Sequence, residues 1–222
     1  GQQRQPGGKC RHEADAQLLA GGLYLSLGLH AEATKIFDRL LAGPVPKSVS
    51  DRAHFYLGRI GYQRGYYDQA WSSLQKIRGP LAGSLEPERR LLAANVLMAQ
   101  GRFAEAATLL QSAGDDDDWA AFARFNLGVA LVKSGDVPAG SALLDEVGRM
   151  PGANEEQRSL RDRANVALGF SALQDGRSDD ARNVLQRVRL QSLQANKALL
   201  GFGWAAANAK QHEQALVPWT EL

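Results

Sequence analysis

The chain has 222 residues, 44% of them hydrophobic, so it is long enough and apolar enough to bury a substantial core. Its 26 basic and 24 acidic residues are interspersed and nearly cancel, leaving +2, and no polybasic footprint points to nucleic acid or anionic lipid. No apolar run approaches the roughly 20 residues of a membrane-spanning helix, and Cys10, the only cysteine, excludes an intramolecular disulfide or a thiolate metal cage.

Taken in order, residues 1–11 hold Pro6, Gly7 and Gly8 with few apolar side chains and read as a tail. The opening lacks the apolar core of a signal peptide, and an initial glycine suggests a trimmed sequence whose leader is already gone. The working division is a flexible leader, 1–13, and an ordered region, 14–222. Predicted helices then come in pairs: 14–27 with 31–42, 51–64 with 67–78, 87–100 with 103–113, 119–134 with 137–149, 156–175 with 178–190, and 195–209 with 212–222. The pairs turn at Gly28, Gly65, Gly101, Gly135, Gly176 and Lys210, spaced 37, 36, 34, 41 and 34 residues apart. Stops such as Gly43-Pro44, Gly79-Pro80 and Pro151-Gly152 lie between them. The 41-residue interval places its additional residues in the loop at Pro151 or in an early start to the next helix.

Three columns repeat in register with these hinges. Seven residues before each stands a small residue (Gly21, Gly58, Ala94, Gly128, Gly169, Gly203), and five after each stands another (Ala33, Ala70, Ala106, Gly140, Ala181, Ala215). Nine after each stands a large apolar one: Phe37, Leu74, Leu110, Leu144, Leu185 or Trp219. Small residues let paired helices approach closely, and the large one is expected to fill the gap between successive pairs. A hairpin of two amphipathic helices cannot bury both apolar faces alone, so the pairs must stack.

Tyr56-Leu57-Gly58, Asn126-Leu127-Gly128, the aromatics Tyr67 and Phe103 after their hinges, and the alanine column resemble the tetratricopeptide repeat over about residues 14–222. The resemblance implies an all-α, right-handed superhelical solenoid of about six helix-turn-helix repeats. Ser178, Lys210 and Gly140 depart from the pattern without disturbing its register. The chain stops inside the second helix of its sixth pair, with no polar capping helix. The expectation is a piece of a longer repeat protein, or an end that packs on something else. The chain is also similar to long bacterial tetratricopeptide proteins of the cell envelope, which implies a periplasmic or envelope location, with the cytoplasm as the alternative.

Candidate chemistry is sparse. The run Asp115-Asp116-Asp117-Asp118 lacks the alternating ligands and central glycine of a calcium loop, and carboxylates before a helix favour its N-terminus. His12, His30, His54 and His212 are scattered and lack a second ligand at helical spacing, so neither metal nor cofactor is expected. His30 and His212 occupy the column of Tyr67 and Phe103, which suits packing or hydrogen bonding. Glu86, Glu88, Asp162, Asp179 and Asp180 read as helix-start charges, and no nucleophile or phosphate-loop motif is present, so no enzyme is expected.

The resemblance further implies that first helices line a concave groove, with positions thirteen, ten, six, three and two before each hinge facing a ligand. These include Arg52, Phe55, Arg59, Tyr62 and Gln63 in the second pair, Phe122, Phe125, Val129, Val132 and Lys133 in the fourth, and Phe170 in the fifth. Asn95, Asn126 and Arg163 match three of five groups of the clamp by which some such domains hold carboxylate tails of chaperones, while Leu91 and Ala167 depart from it. The implied function is a non-enzymatic scaffold that holds a peptide or protein segment, with no membrane insertion. A helical-repeat RNA reader and a chaperone-tail adaptor are the alternatives.

Overall fold

The computed structural model describes residues 6–112 and 119–222, with side chains described from residue 12 onward, and the aspartate run and Cys10's side chain lie outside that description. Every element among the described residues is helical. The chain forms two compact units, Gly1–Arg102 and Phe103–Leu222. The first contains α1 (Pro6–Ser26), α2 (His30–Leu41), α3 (Lys47–Gln63), α4 (Tyr67–Gln75) and α5 (Leu85–Ala99). The second contains α6 (Phe103–Gln111), α7 (Ala120–Ser134), α8 (Val137–Arg149), α9 (Glu155–Gln174), α10 (Ser178–Leu185), α11 (Ala195–Asn208) and α12 (His212–Thr220).

The helix boundaries follow from local chemistry. Helix α1 starts earlier than the sequence reading placed it, with Pro6 at the first position, where the missing N–H has no intrahelical partner to lose. Asp136 caps α8 by accepting the Ala139 N–H. Asn154 caps α9 through the Gln157 N–H, while Gln157 Oε1 accepts the Ala153 N–H, a reciprocal arrangement of the capping-box kind. That cap fixes an early start for α9, whose 20 residues take up part of the long fourth interval.

All six hinges close in the same way. Gly28, Gly65, Gly101, Gly135 and Gly176 adopt φ of 74°, 76°, 76°, 105° and 73°, and Lys210 adopts 61°. At Gly65 the hinge N–H donates to Tyr62 O and the next N–H, of Tyr66, donates to Gly61 O; the same two bonds recur at every hinge, ending with Lys210 to Ala207 and Gln211 to Ala206. This is the Schellman closure, and it satisfies two carbonyls left over at the end of each first helix.

The three columns are buried where the hinges predict, with Trp219 alone half-buried. The large residue fills space within its own pair as well as between successive pairs. A Cβ added at Gly21 would lie 2.5 Å from the Phe37 ring, at Gly58 2.8 Å from Leu74, at Gly128 2.9 Å from Leu144 and at Gly169 2.6 Å from Leu185. Gly203 stands likewise against Trp219. Between neighbouring pairs the large residue is joined by others: in the first unit Leu18, Leu25, Phe37, Val49, Ala53 and Ile60 form one cluster, with Phe37 stacked on Tyr56 at 5.3 Å, and in the second a Cβ added at Gly201 of α11 would lie 2.9 Å from Leu185 of α10. In the second unit, Phe125, Leu144, Leu160, Ala164, Leu168 and Val184 join α7 to α10.

Candidate partner-binding surface

Burial sorts the ligand-facing columns read from the sequence. The position ten before the hinge belongs to the core: Phe55 is 0% exposed and Phe125 7%, and Leu18, Leu91 and Val166 in the same column are buried as well. A first helix turns that position toward the small-residue column of its own pair, three residues further on and on the same side. Asn126, at 8%, is also withdrawn from solvent, so the clamp reading loses one of its two asparagines. Positions thirteen, six and two before the hinge remain accessible or partly accessible in both units.

In the first unit those positions frame a cleft of about 480 Å³ between α1 and α3, lined by Leu19, Leu23, Arg52, Tyr56, Arg59 and Gln63 among others. The buried Arg52 Nε has no hydrogen-bond partner. Arg59 Nη1 lies 2.9 Å from Glu88 Oε1, a partly exposed pair. Gln63 Oε1 accepts a 3.0 Å hydrogen bond from His30 Nε2, which gives His30 the bonding role its column suggested. The Tyr62 ring packs 5.9 Å from Tyr67, and Asn95 is half-buried on α5. On another side of α3, a more polar cleft of about 710 Å³ contains Asp38, His54, Arg64 and Lys76. Burial first, and then the Lys76 charge, lower the His54 pKa.

In the second unit the accessible positions are aromatic and basic. Phe122 packs 5.8 Å from Trp119, and Phe170 meets Trp204 edge-on at 6.1 Å, leaving the indole 48% exposed. The Arg163 guanidinium lies 4.7 Å over the Phe125 ring, so the structure brings these two residues together as a cation–π pair. Lys133 and Lys197 are exposed.

The sequence reading missed a clasp. Asp51 and Asp162 both stand fourteen residues before a hinge, and each accepts the backbone N–H of the arginine thirteen after it: Arg78 at 3.1 Å and Arg189 at 3.4 Å. Asp162 is therefore not a helix-start charge; it is fully buried and takes a second bond from Arg189 Nε at 2.8 Å. Arg189 also pairs with Glu155, whose carboxyl is held at about 2 by hydrogen bonds from Arg189 and then Arg158. The Asp/Arg pairing at equal offsets in two repeats was legible as a further column. Among the described residues, no group of three His, Cys, Asp or Glu could hold a metal ion, and no helix is long and apolar enough to cross a membrane.

Repeated pairs with one closure, one packing register and partly accessible first helices define a helical-repeat protein built on the pattern of an interaction scaffold. Tetratricopeptide repeat models match residues 97–164 and 166–221, and the chain belongs to the tetratricopeptide repeat family. No curated protein matches it. Among solved structures it is similar to PilW, described as a widely conserved type IV pilus biogenesis factor, at 18% identity and a TM-score of 0.73, covering 94% of this chain and 91% of that one. It is similar to PilF of Pseudomonas aeruginosa at 18% identity and a TM-score of 0.68, covering 96% and 91%. It is also similar to YrrB, described as a TPR protein with an unusual peptide-binding site, at 16% identity and a TM-score of 0.60, covering 93% and 91%. At such identities the likeness is one of fold.

Proposed function

We propose that the chain is a non-catalytic scaffold that holds a peptide or protein segment of a partner against the accessible positions of its first helices. The observation that carries this reading is the half-exposed Trp204 braced by Phe170, with Arg163 an exposed residue on the same helix as Phe170. Exposed indole and guanidinium groups on a rigid frame are the groups that most often anchor protein interfaces. Rigid helices hold such groups in place before binding, which lowers the entropy lost on association. Likeness to a type IV pilus biogenesis factor and to a protein with a peptide-binding site supports a bacterial envelope setting and a peptide partner. Burial of Asn126 disfavours a chaperone-tail clamp.

The test is co-purification from the source cells with the full-length protein, repeated with Trp204→Ala and Arg163→Ala. Each variant is expected to keep the helical circular-dichroism spectrum and to retain less partner. Undiminished retention by both would overturn the assignment to these faces. Fractionation of the same cells reads the location, and recovery in the cytoplasm alone would overturn the envelope setting.

A further inference from the structure

Position five before the hinge isolates α1. In the later first helices it is Ile60, Val96, Ala130, Ser171 or Ala205, each buried. In α1 it is Leu23, 61% exposed, and Leu19 and Leu27, one helical turn to either side, are 75% and 66% exposed. The three leucines form a stripe at i, i+4 and i+8, about 12 Å long. Within the first unit, the same position on α3 is covered by helices: Ile60 packs into the cluster containing Leu25, Ala33 and Phe37 of α1 and α2. The surface that fits this register is therefore another helix.

Charge narrows the occupant. The cleft beside the stripe contains Arg52 and Arg59; its lining holds no carboxylate, Arg59 pairs with Glu88 of α5 at 2.9 Å, and Arg52 Nε is an unsatisfied donor. An unpaired buried donor is costly, and a charged acceptor is its strongest partner. We propose that α1 and α3 dock an amphipathic helix of a partner protein, its apolar side chains seated on Leu19, Leu23 and Leu27 and an acidic side chain directed at Arg52 and Arg59. This rests on the reading that first helices bind protein, and it names the chemistry of one site.

The probe is a fluorescein-labelled synthetic helix of about 18 residues, with leucines at i, i+4 and i+7 flanked by glutamates, titrated into the full chain by fluorescence anisotropy. Saturable binding is expected, about tenfold weaker for a twin with lysine in place of glutamate. Leu23→Asp or Leu19→Asp should each weaken binding by about tenfold or more with the circular-dichroism spectrum unchanged, these side chains being exposed. Arg52→Gln, or Arg59→Gln should the former unfold, should abolish the preference between the twins. Failure of the acidic peptide to bind, equal binding by the Leu23→Asp protein, or equal affinity for both twins would overturn the proposal. So would a dimer in sedimentation that Leu23→Asp dissolves and the peptide does not displace, since a second copy would then occupy the face. If the peptide fails while Trp204→Ala and Arg163→Ala still release the natural partner, the α1 site falls and the scaffold reading stands; if those variants release nothing, the scaffold reading falls on its own evidence.

Discussion

The two units are built on one frame but carry different surfaces. In the first, accessible positions hold leucines, Arg52, Arg59 and Glu88; in the second they hold Phe122, Phe170, Trp204, Arg163, Lys133 and Lys197. The buried columns, by contrast, are interchangeable: Gly58 against Leu74 in the first unit and Gly128 against Leu144 in the second have nearly the same geometry. Packing dictates the residue wherever a helix meets a helix, and leaves the accessible positions free to carry specificity. Clasps vary as well. Asp51 receives one backbone N–H and an exposed Lys47, whereas Asp162 receives a backbone N–H and the Arg189 side chain.

The largest effect should come from breaking the shared frame. Gly58→Leu and Gly128→Leu each put a side chain where even a Cβ would stand under 3.0 Å from a leucine. Each should cost about 3 kcal/mol, the upper part of the usual range for overpacking, and chemical denaturation should show similar losses in both. A loss confined to one variant would mean that the two units do not share a packing register.

The clasps should separate the units. Asp162→Ala removes the acceptor of a partly buried N–H and of a guanidinium, and should cost about 1–3 kcal/mol. Asp51→Ala should cost less, because the Lys47 it releases is already in water. Equal denaturant midpoints for the two variants would contradict this ordering.

Acid should also distinguish them. Burial raises the Glu86 pKa, but hydrogen bonds from Arg89, from the Leu81 N–H and from Arg90 outweigh it and bring the carboxyl from its ordinary 4.5 to about 2. A depressed folded value means stability that is present above about 4.5 and is lost as the pH falls toward about 2. Glu155 titrates over the same range, but it is fully exposed, so added salt should screen its contribution while leaving most of that of Glu86. Hydrogen exchange between pH 5 and 3 at low and high salt reads both; Glu86→Gln should flatten the response around residues 81–90. Salt-sensitive protection at Glu86 matching that at Glu155 would defeat the distinction.

What was legible in the sequence follows the same division. Hinges and small columns could be read because each serves the same purpose six times, and chance rarely repeats a steric requirement. The ten-before column was misread because Phe55 and Phe125 are large aromatics on the helices expected to face a ligand; only the crossing of the two helices in a pair shows that this position turns inward. Leu19 and Leu23 were not legible as a surface. Nothing in the sequence marks them as exposed, because their exposure depends on what stacks on α1.

The smallest effect isolates the hinge itself. Lys210 occupies the left-handed conformation that glycines hold at the other five hinges, at φ 61°. A side chain there crowds its own backbone and costs roughly 1 kcal/mol, while glycine avoids that clash but gains freedom in the unfolded chain. Lys210→Gly should therefore stabilise the second unit by about 0.5–1 kcal/mol. Gly65→Lys in the first unit is the mirror experiment, and it is free of confusion with packing, because a Cβ at Gly65 meets nothing within 4 Å. It should lose about what Lys210→Gly gains. A Gly65→Lys loss several times larger would show that the hinge glycines hold more than their own torsion, and a null result at both sites would show that the Schellman bonds alone, common to all six hinges, decide how each pair closes.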